Sequence, residues 1–73
     1  MISTGKYKHY KGNFYEVIGT VIHSETLERM VLYKPLYDSP QHEKGQLWVR
    51  PEKMFNEKII VEGKEAPRFE FVG

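Results

Sequence analysis

The chain has 73 residues, 40% of them hydrophobic and 29% charged, which is the balance of a folded globular domain and excludes a disordered tail. It contains no cysteine, so disulfide staples, thiolate metal sites and thiol nucleophiles are excluded. Its net charge of +1 comes from 11 basic and 10 acidic residues scattered along the sequence, without the basic stripe of a nucleic-acid binder.

A chain this short is expected to form a single domain over residues 1–73 and to bury only roughly 60% of its unfolded surface. Five Tyr, four Phe and one Trp must therefore supply much of the core. Each such ring removes on the order of 150–250 Å² from water. Little material is left to hollow out a cofactor pocket, so no cofactor and no resident metal are expected, and catalysis is disfavoured. No apolar run approaches the ~20 residues of a membrane span. Met1 to Thr4 reads as a frayed start and not as a signal, which makes the cytoplasm the expected compartment.

Turn signals and β-rich runs alternate along the chain. Lys6 to Tyr10 is the first strand, with Tyr7 and His9 on one face, and Lys11-Gly12 breaks it. Asn13 to His23 is the longest run. Its polar Glu16 and Thr20 select the Tyr15, Val17 and Val21 face as the inward one, although Gly19 in mid-strand predicts a bulge able to swap faces after it. Arg29 to Lys34 is the third strand, and a polar loop with two prolines runs from Pro35 to Gly45. Gln46 to Arg50 is the fourth strand, and Glu52 to Asn56 makes one short helical turn with Met54 and Phe55 tucking in. Lys58 to Val61 and Arg68 to Val72 complete the chain. The expected fold is all-β, with five to six short strands forming a small, strongly bent antiparallel sheet or an SH3-like barrel, the barrel preferred because closure removes exposed edges.

Enzyme signatures are missing: no G-x-G-x-x-G, P-loop, G-x-S-x-G or H-E-x-x-H occurs. Two clusters stand out. In His23-Ser24-Glu25-Thr26 an extended backbone places His23 and Glu25 on one face, where a carboxylate tunes an imidazole for base chemistry or metal binding. The plainer reading is a strand-end histidine hydrogen-bonded to its turn. In Leu47-Trp48-Val49-Arg50-Pro51, Leu47 and Val49 share one face and Trp48 and Arg50 the other. If the aliphatic pair faces the core, the Trp48 indole points outward beside a guanidinium, a pairing common at recognition surfaces. The plainer reading turns the strand over or buries Trp48 under the 35–45 loop. Tyr7, Tyr10, Tyr15, Tyr33 and Tyr37 serve either as core or as the lining of a groove with Trp48.

The motifs Gly5-Lys6-Tyr7-x-His9-Tyr10-Lys11-Gly12-x-x-Tyr15, His23-Ser24-Glu25-Thr26, Leu47-Trp48-Val49-Arg50-Pro51, Met54-Phe55 and Pro67-Arg68-Phe69-Glu70 together resemble the bacterial domain-of-unknown-function family numbered 1653. The resemblance spans nearly the whole chain and implies a small β-rich protein or module. It brings no assigned activity or catalytic residue, and it emphasises His23, Glu25, Trp48 and Arg50.

The functional expectation is a small non-catalytic binding module. Its groove is built from Tyr10, Tyr33, Trp48 and Arg50, with His23 and Glu25 at one rim. Arg50 contacts an anionic or carbonyl group, and Trp48 stacks on a flat or cationic one. The partner is a peptide, a protein, or a nucleotide or single-stranded nucleic acid, with no membrane, on a monomer or small homo-oligomer. The alternatives are a small hydrolase or metal-dependent enzyme using His23 and Glu25, and a protein that acts only as a homo-oligomer.

Overall fold

Runs of β-formers punctuated by glycine and proline produce seven strands and one short helix in the computed structural model, which describes residues 2–73. In chain order these are β1 (Gly5–His9), β2 (Phe14–Ile22), β3 (Arg29–Pro35), β4 (Trp48–Pro51), α1 (Glu52–Phe55), β5 (Lys58–Val61), β6 (Lys64–Pro67) and β7 (Phe69–Phe71). An antiparallel sheet runs in the order β4-β3-β2-β1-β7, and β5 and β6 form a separate two-stranded hairpin.

The all-β expectation holds, but the sheet does not close into a barrel. The closing strand β7 is only three residues long and pairs with β1, so it never reaches β4 at the other edge. The space that a barrel would enclose is filled instead by α1, which packs on β3 and β4. The strand missed by sequence reasoning is β6. Its residues Lys64-Glu65-Ala66-Pro67 have little strand propensity of their own. A two-residue turn imposes the pairing: Glu62 and Gly63 have φ of 52° and 80°, the left-handed pair of a type I′ hairpin.

The bulge expected at Gly19 is present as a shift of register between Val17 and Gly19. Directly opposed residues of an antiparallel pair point to the same side. Before the bulge Tyr15 faces Pro35 and Val17 faces Tyr33, all on the core side. After it Thr20 opposes the fully buried Val31, and Val21 opposes Met30 on the outer side. The inward face therefore passes from odd to even positions, and Val21 is exposed, contrary to the simple alternation.

The core consists of Tyr7, Val17, Val31, Tyr33, Phe55 and Phe69. Phe55, the buried residue of α1, stacks face to face on Phe69 at 4.2 Å and meets Tyr7 and Tyr33 edge-on. Its partner in sequence, Met54, stays exposed. Burying a side chain of this size contributes roughly 1.5–3 kcal/mol. No helix among the described residues is long and apolar enough to cross a membrane.

Candidate functional site

The phase of β4 decides where the site lies. β4 pairs with β3 so that Trp48 opposes Tyr33 and Arg50 opposes Val31. Because Val31 and Tyr33 face the core, Trp48 and Arg50 do too. Leu47 and Val49 are the outward pair, at 55% and 51% exposed. Of the two orientations open in the sequence, β4 thus adopts the one with the strand turned over and Trp48 and Arg50 inward. The register with β3 sets this phase, because directly opposed residues of an antiparallel pair share a face.

Although it faces the core side, Trp48 remains 42% exposed. Tyr7, Phe55 and Phe69 seal one half of the core face, while the other half is walled by the 36–47 loop without being covered. That loop is tied down along its length. Leu36 N–H donates to the Phe14 carbonyl at 3.0 Å and Gly45 N–H to the Pro35 carbonyl at 3.1 Å. Ser39 and His42 exchange backbone hydrogen bonds, and the Asp38 carboxylate accepts from Lys44 N–H. The Tyr37 and Tyr15 hydroxyls, 2.6 Å apart, fasten the loop to the sheet. The His42 ring meets Tyr37 and Trp48 edge-on, at 5.2 and 5.9 Å.

The result is an open cleft of about 430 Å³ with walls from Tyr15, Tyr33, Tyr37, His42 and Trp48 and with Arg50 in its lining. Asn13, Ser39 and Gln41 add small polar groups. Arg50 is the single formal charge in this lining, and no carboxylate shares it. The ion pairs among the described residues are Lys34–Glu16, Lys58–Glu65 and Arg68–Glu57, all elsewhere. The Arg50 guanidinium lies 5.7 Å from the Phe69 ring centre, a cation–π contact, and it takes part in none of the ion pairs among the described residues. Burial, with the Tyr37 hydrogen bond second, pushes the Tyr15 phenol well above its ordinary value, keeping it neutral. Burial first, then the charges of Arg68, Lys11 and Arg50, pushes the nearby His9 imidazole below its ordinary value.

Of the six site residues expected from sequence, Tyr33, Trp48 and Arg50 come together in the cleft. Tyr10 does not join them. It sits on the β1–β2 turn, its ring 4.5 Å from that of His9 and tilted 37° to it, beside a smaller hollow of about 220 Å³ that also involves Val61, Pro67 and Glu70. His23 and Glu25 lie on the β2–β3 turn at the opposite end of the sheet. From Tyr33 to Arg29, where the turn begins, is already roughly 13 Å at the rise of a strand. There His23 Nδ1 accepts the backbone N–H of Glu25 at 3.2 Å and of Thr26 at 3.3 Å, so the imidazole caps its own turn. No three His, Cys, Asp or Glu side chains among the described residues gather as metal ligands. Sequence reasoning missed Asn13, Ser39, Gln41 and His42 as lining of the cleft. The available signal was a loop rich in polar and aromatic residues that leads directly into the Trp-bearing strand.

The fold and cleft define a class: a small, open, all-β domain whose aromatic cleft carries a cation without a carboxylate partner among the described residues. The chain belongs to the family described as "Protein of unknown function (DUF1653)", whose model matches residues 5–71. It is similar to the crystal structure of a protein of that family from Bordetella bronchiseptica, with 32% sequence identity and a TM-score of 0.88 over 99% of this chain and 88% of that one. No curated protein matches the chain.

Proposed function

We propose that this protein is a non-catalytic binding module whose ligand enters the cleft between the 36–47 loop and the core face of the sheet. The observation that carries the reading is the convergence of Trp48, Tyr33 and an unpaired Arg50 on one half-covered face. Apolar walls with a few placed polar groups are the usual make-up of small-ligand sites, and about 430 Å³ falls in their range. Trp48 supplies a stacking surface, and Arg50 supplies donors for an anionic or carbonyl group. The lining offers no carboxylate or thiol, and its hydroxyl and imidazole are engaged apart from one another, Ser39 Oγ donating to Gln41 Oε1 and His42 Nδ1 meeting the Glu43 carbonyl, which supports binding over turnover. The capped imidazole of His23 gives no support to hydrolysis or metal chemistry at the distal turn.

Trp48 is the only tryptophan, so its fluorescence reports on the cleft without labelling. Titration with nucleotides, short single-stranded RNA and DNA, short peptides and zinc is expected to give a saturable change with one of the organic classes. A response to zinc alone, or saturable binding that leaves Trp48 emission unchanged and survives Trp48→Ala, contradicts the proposal.

A further inference from the structure

The cleft's chemistry narrows its ligand beyond the binding role just proposed, on which this step rests. We infer that the cleft takes a single flat ring carrying one anionic group, at the size of a mononucleotide or an aromatic carboxylate, and not a polynucleotide strand. Three features converge on that class. The first is the part-exposed Trp48 indole in an aromatic lining shared with Tyr33 and Tyr37, which offers a face on which a ring can stack. The second is Arg50: it is half-buried, it has no carboxylate partner among the described residues, and its guanidinium lies over the Phe69 ring. A half-buried cation so placed favours a carboxylate or phosphate and disfavours a cationic guest, although aromatic walls alone suit one. The third is the pair of side-chain amides, Asn13 and Gln41, at the cleft's margin. The Gln41 carbonyl already accepts from Ser39 Oγ at 3.3 Å, which leaves its NH₂ to donate to a ring heteroatom or exocyclic oxygen.

The charge count separates monomer from strand. A protein that tracks a strand neutralises several phosphates, and its affinity falls steeply with salt, with a slope of about −0.7 per phosphate for single strands. Here the lining holds one cation, and the chain as a whole carries a net charge of only +1. The ligand's anionic group therefore meets one partner.

The test measures dissociation constants on the full chain by Trp48 fluorescence for six probes: uridine monophosphate, uridine, benzoate, benzyltrimethylammonium, inorganic phosphate and a ten-nucleotide oligouridine. One or both of the ring-bearing anions are expected to bind, with uridine and inorganic phosphate at least about tenfold weaker than the better of them, as loss of a charge-assisted contact or of the stacked ring requires. Which of uridine monophosphate and benzoate binds more tightly distinguishes a nucleotide from a simple aromatic acid. The oligouridine is expected to bind no more tightly per site than the monomer, with a salt slope of about −0.7, that of one phosphate contact. Arg50→Gln is expected to abolish the preference of uridine monophosphate over uridine, and Arg50→Lys to retain part of it. The unmodified protein's selectivity stands as a test even if Arg50→Gln folds poorly. Preferential binding of uridine or benzyltrimethylammonium overturns the anion inference and leaves the binding module intact. Tight oligouridine binding with a slope of about −3 or steeper overturns the single-ligand inference. Silence of all six probes at millimolar concentration overturns the inference, and if the wider panel of peptides, nucleic acids and zinc is silent too, the binding proposal falls with it.

Discussion

Phe55 and Trp48 are both large aromatic residues on the core side of the same sheet, yet one is 1% exposed and the other 42%. The difference comes from the chain segment that carries or adjoins each ring. Phe55 sits on α1, which folds back from Pro51 over β3 and β4 and places its ring flat on Phe69. Trp48 stands where β4 begins, beyond the reach of that four-residue helix, and its neighbour is a loop that walls the cleft but does not roof it. One continuous set of aromatic edges, from Phe55 through Tyr33 and Tyr15 to Tyr37, His42 and Trp48, thus changes role along its length. At the sealed end the rings replace a larger core. At the open end the same chemistry is left available to a ligand. In a small domain a core face that is only partly covered is itself a source of a site.

The sealed end of the core is disrupted most severely by Phe55→Ala. Removing a fully buried aromatic costs about 3–5 kcal/mol, a large share of the roughly 4–11 kcal/mol expected for a chain of this length. Chemical denaturation is expected to show a collapse of stability or an unfolded protein, and a loss below 1 kcal/mol would show that α1 does not seal the core.

The phase of β4 makes a paired test with smaller effects. Val31→Thr places a hydroxyl in a site that is 0% exposed and is expected to cost about 1–3 kcal/mol. Val49→Thr, on the adjacent strand but facing outward, is expected to stay within about 0.5 kcal/mol of the parent. Comparable losses at the two positions would contradict this phase of β4 against β3.

Tyr37→Phe removes the hydroxyl contact with Tyr15 and is expected to cost about 1 kcal/mol. Its larger consequence is a loosened loop, visible as faster amide exchange over residues 36–47 with the sheet unchanged.

The smallest effect is a pH dependence from His9. Its pKa is lowered in the fold, chiefly by burial, so the unfolded chain takes up the proton first as pH falls. Stability is therefore flat above the ordinary histidine value of about 6.5 and declines below it, until the folded imidazole is itself protonated. Thermal melts between pH 7.5 and 5 are expected to show this decline, and His9→Asn is expected to reduce it. A stability that rises on acidification through that window would reverse the sign.

Much of this arrangement is legible in the residues, and the parts that are not have physical reasons. The strands β1 to β5 and β7, the short turn of helix at Glu52 and the bulge at Gly19 arise from alternation, proline and glycine. The type of pairing that makes β6 resides in the Glu62-Gly63 turn and not in the strand's own propensities. The same-face spacing of Trp48 and Arg50 is a local property and is plain in the sequence. Which face points inward is not local, because a strand's alternation has the same form in either phase and only the partner β3 decides between them. His23 and Glu25 show the converse. Their proximity in sequence is real, but it serves the turn they occupy.

The most direct measurement is an amide-resolved NMR titration of the isotope-labelled protein with the tightest-binding ring-bearing anion. Saturable shifts of the Trp48 indole N–H and of amides in β4 and the 36–47 loop are expected, with residues 23–28 unmoved. Shifts centred on His23 and Glu25, with the Trp48 indole silent, would contradict it.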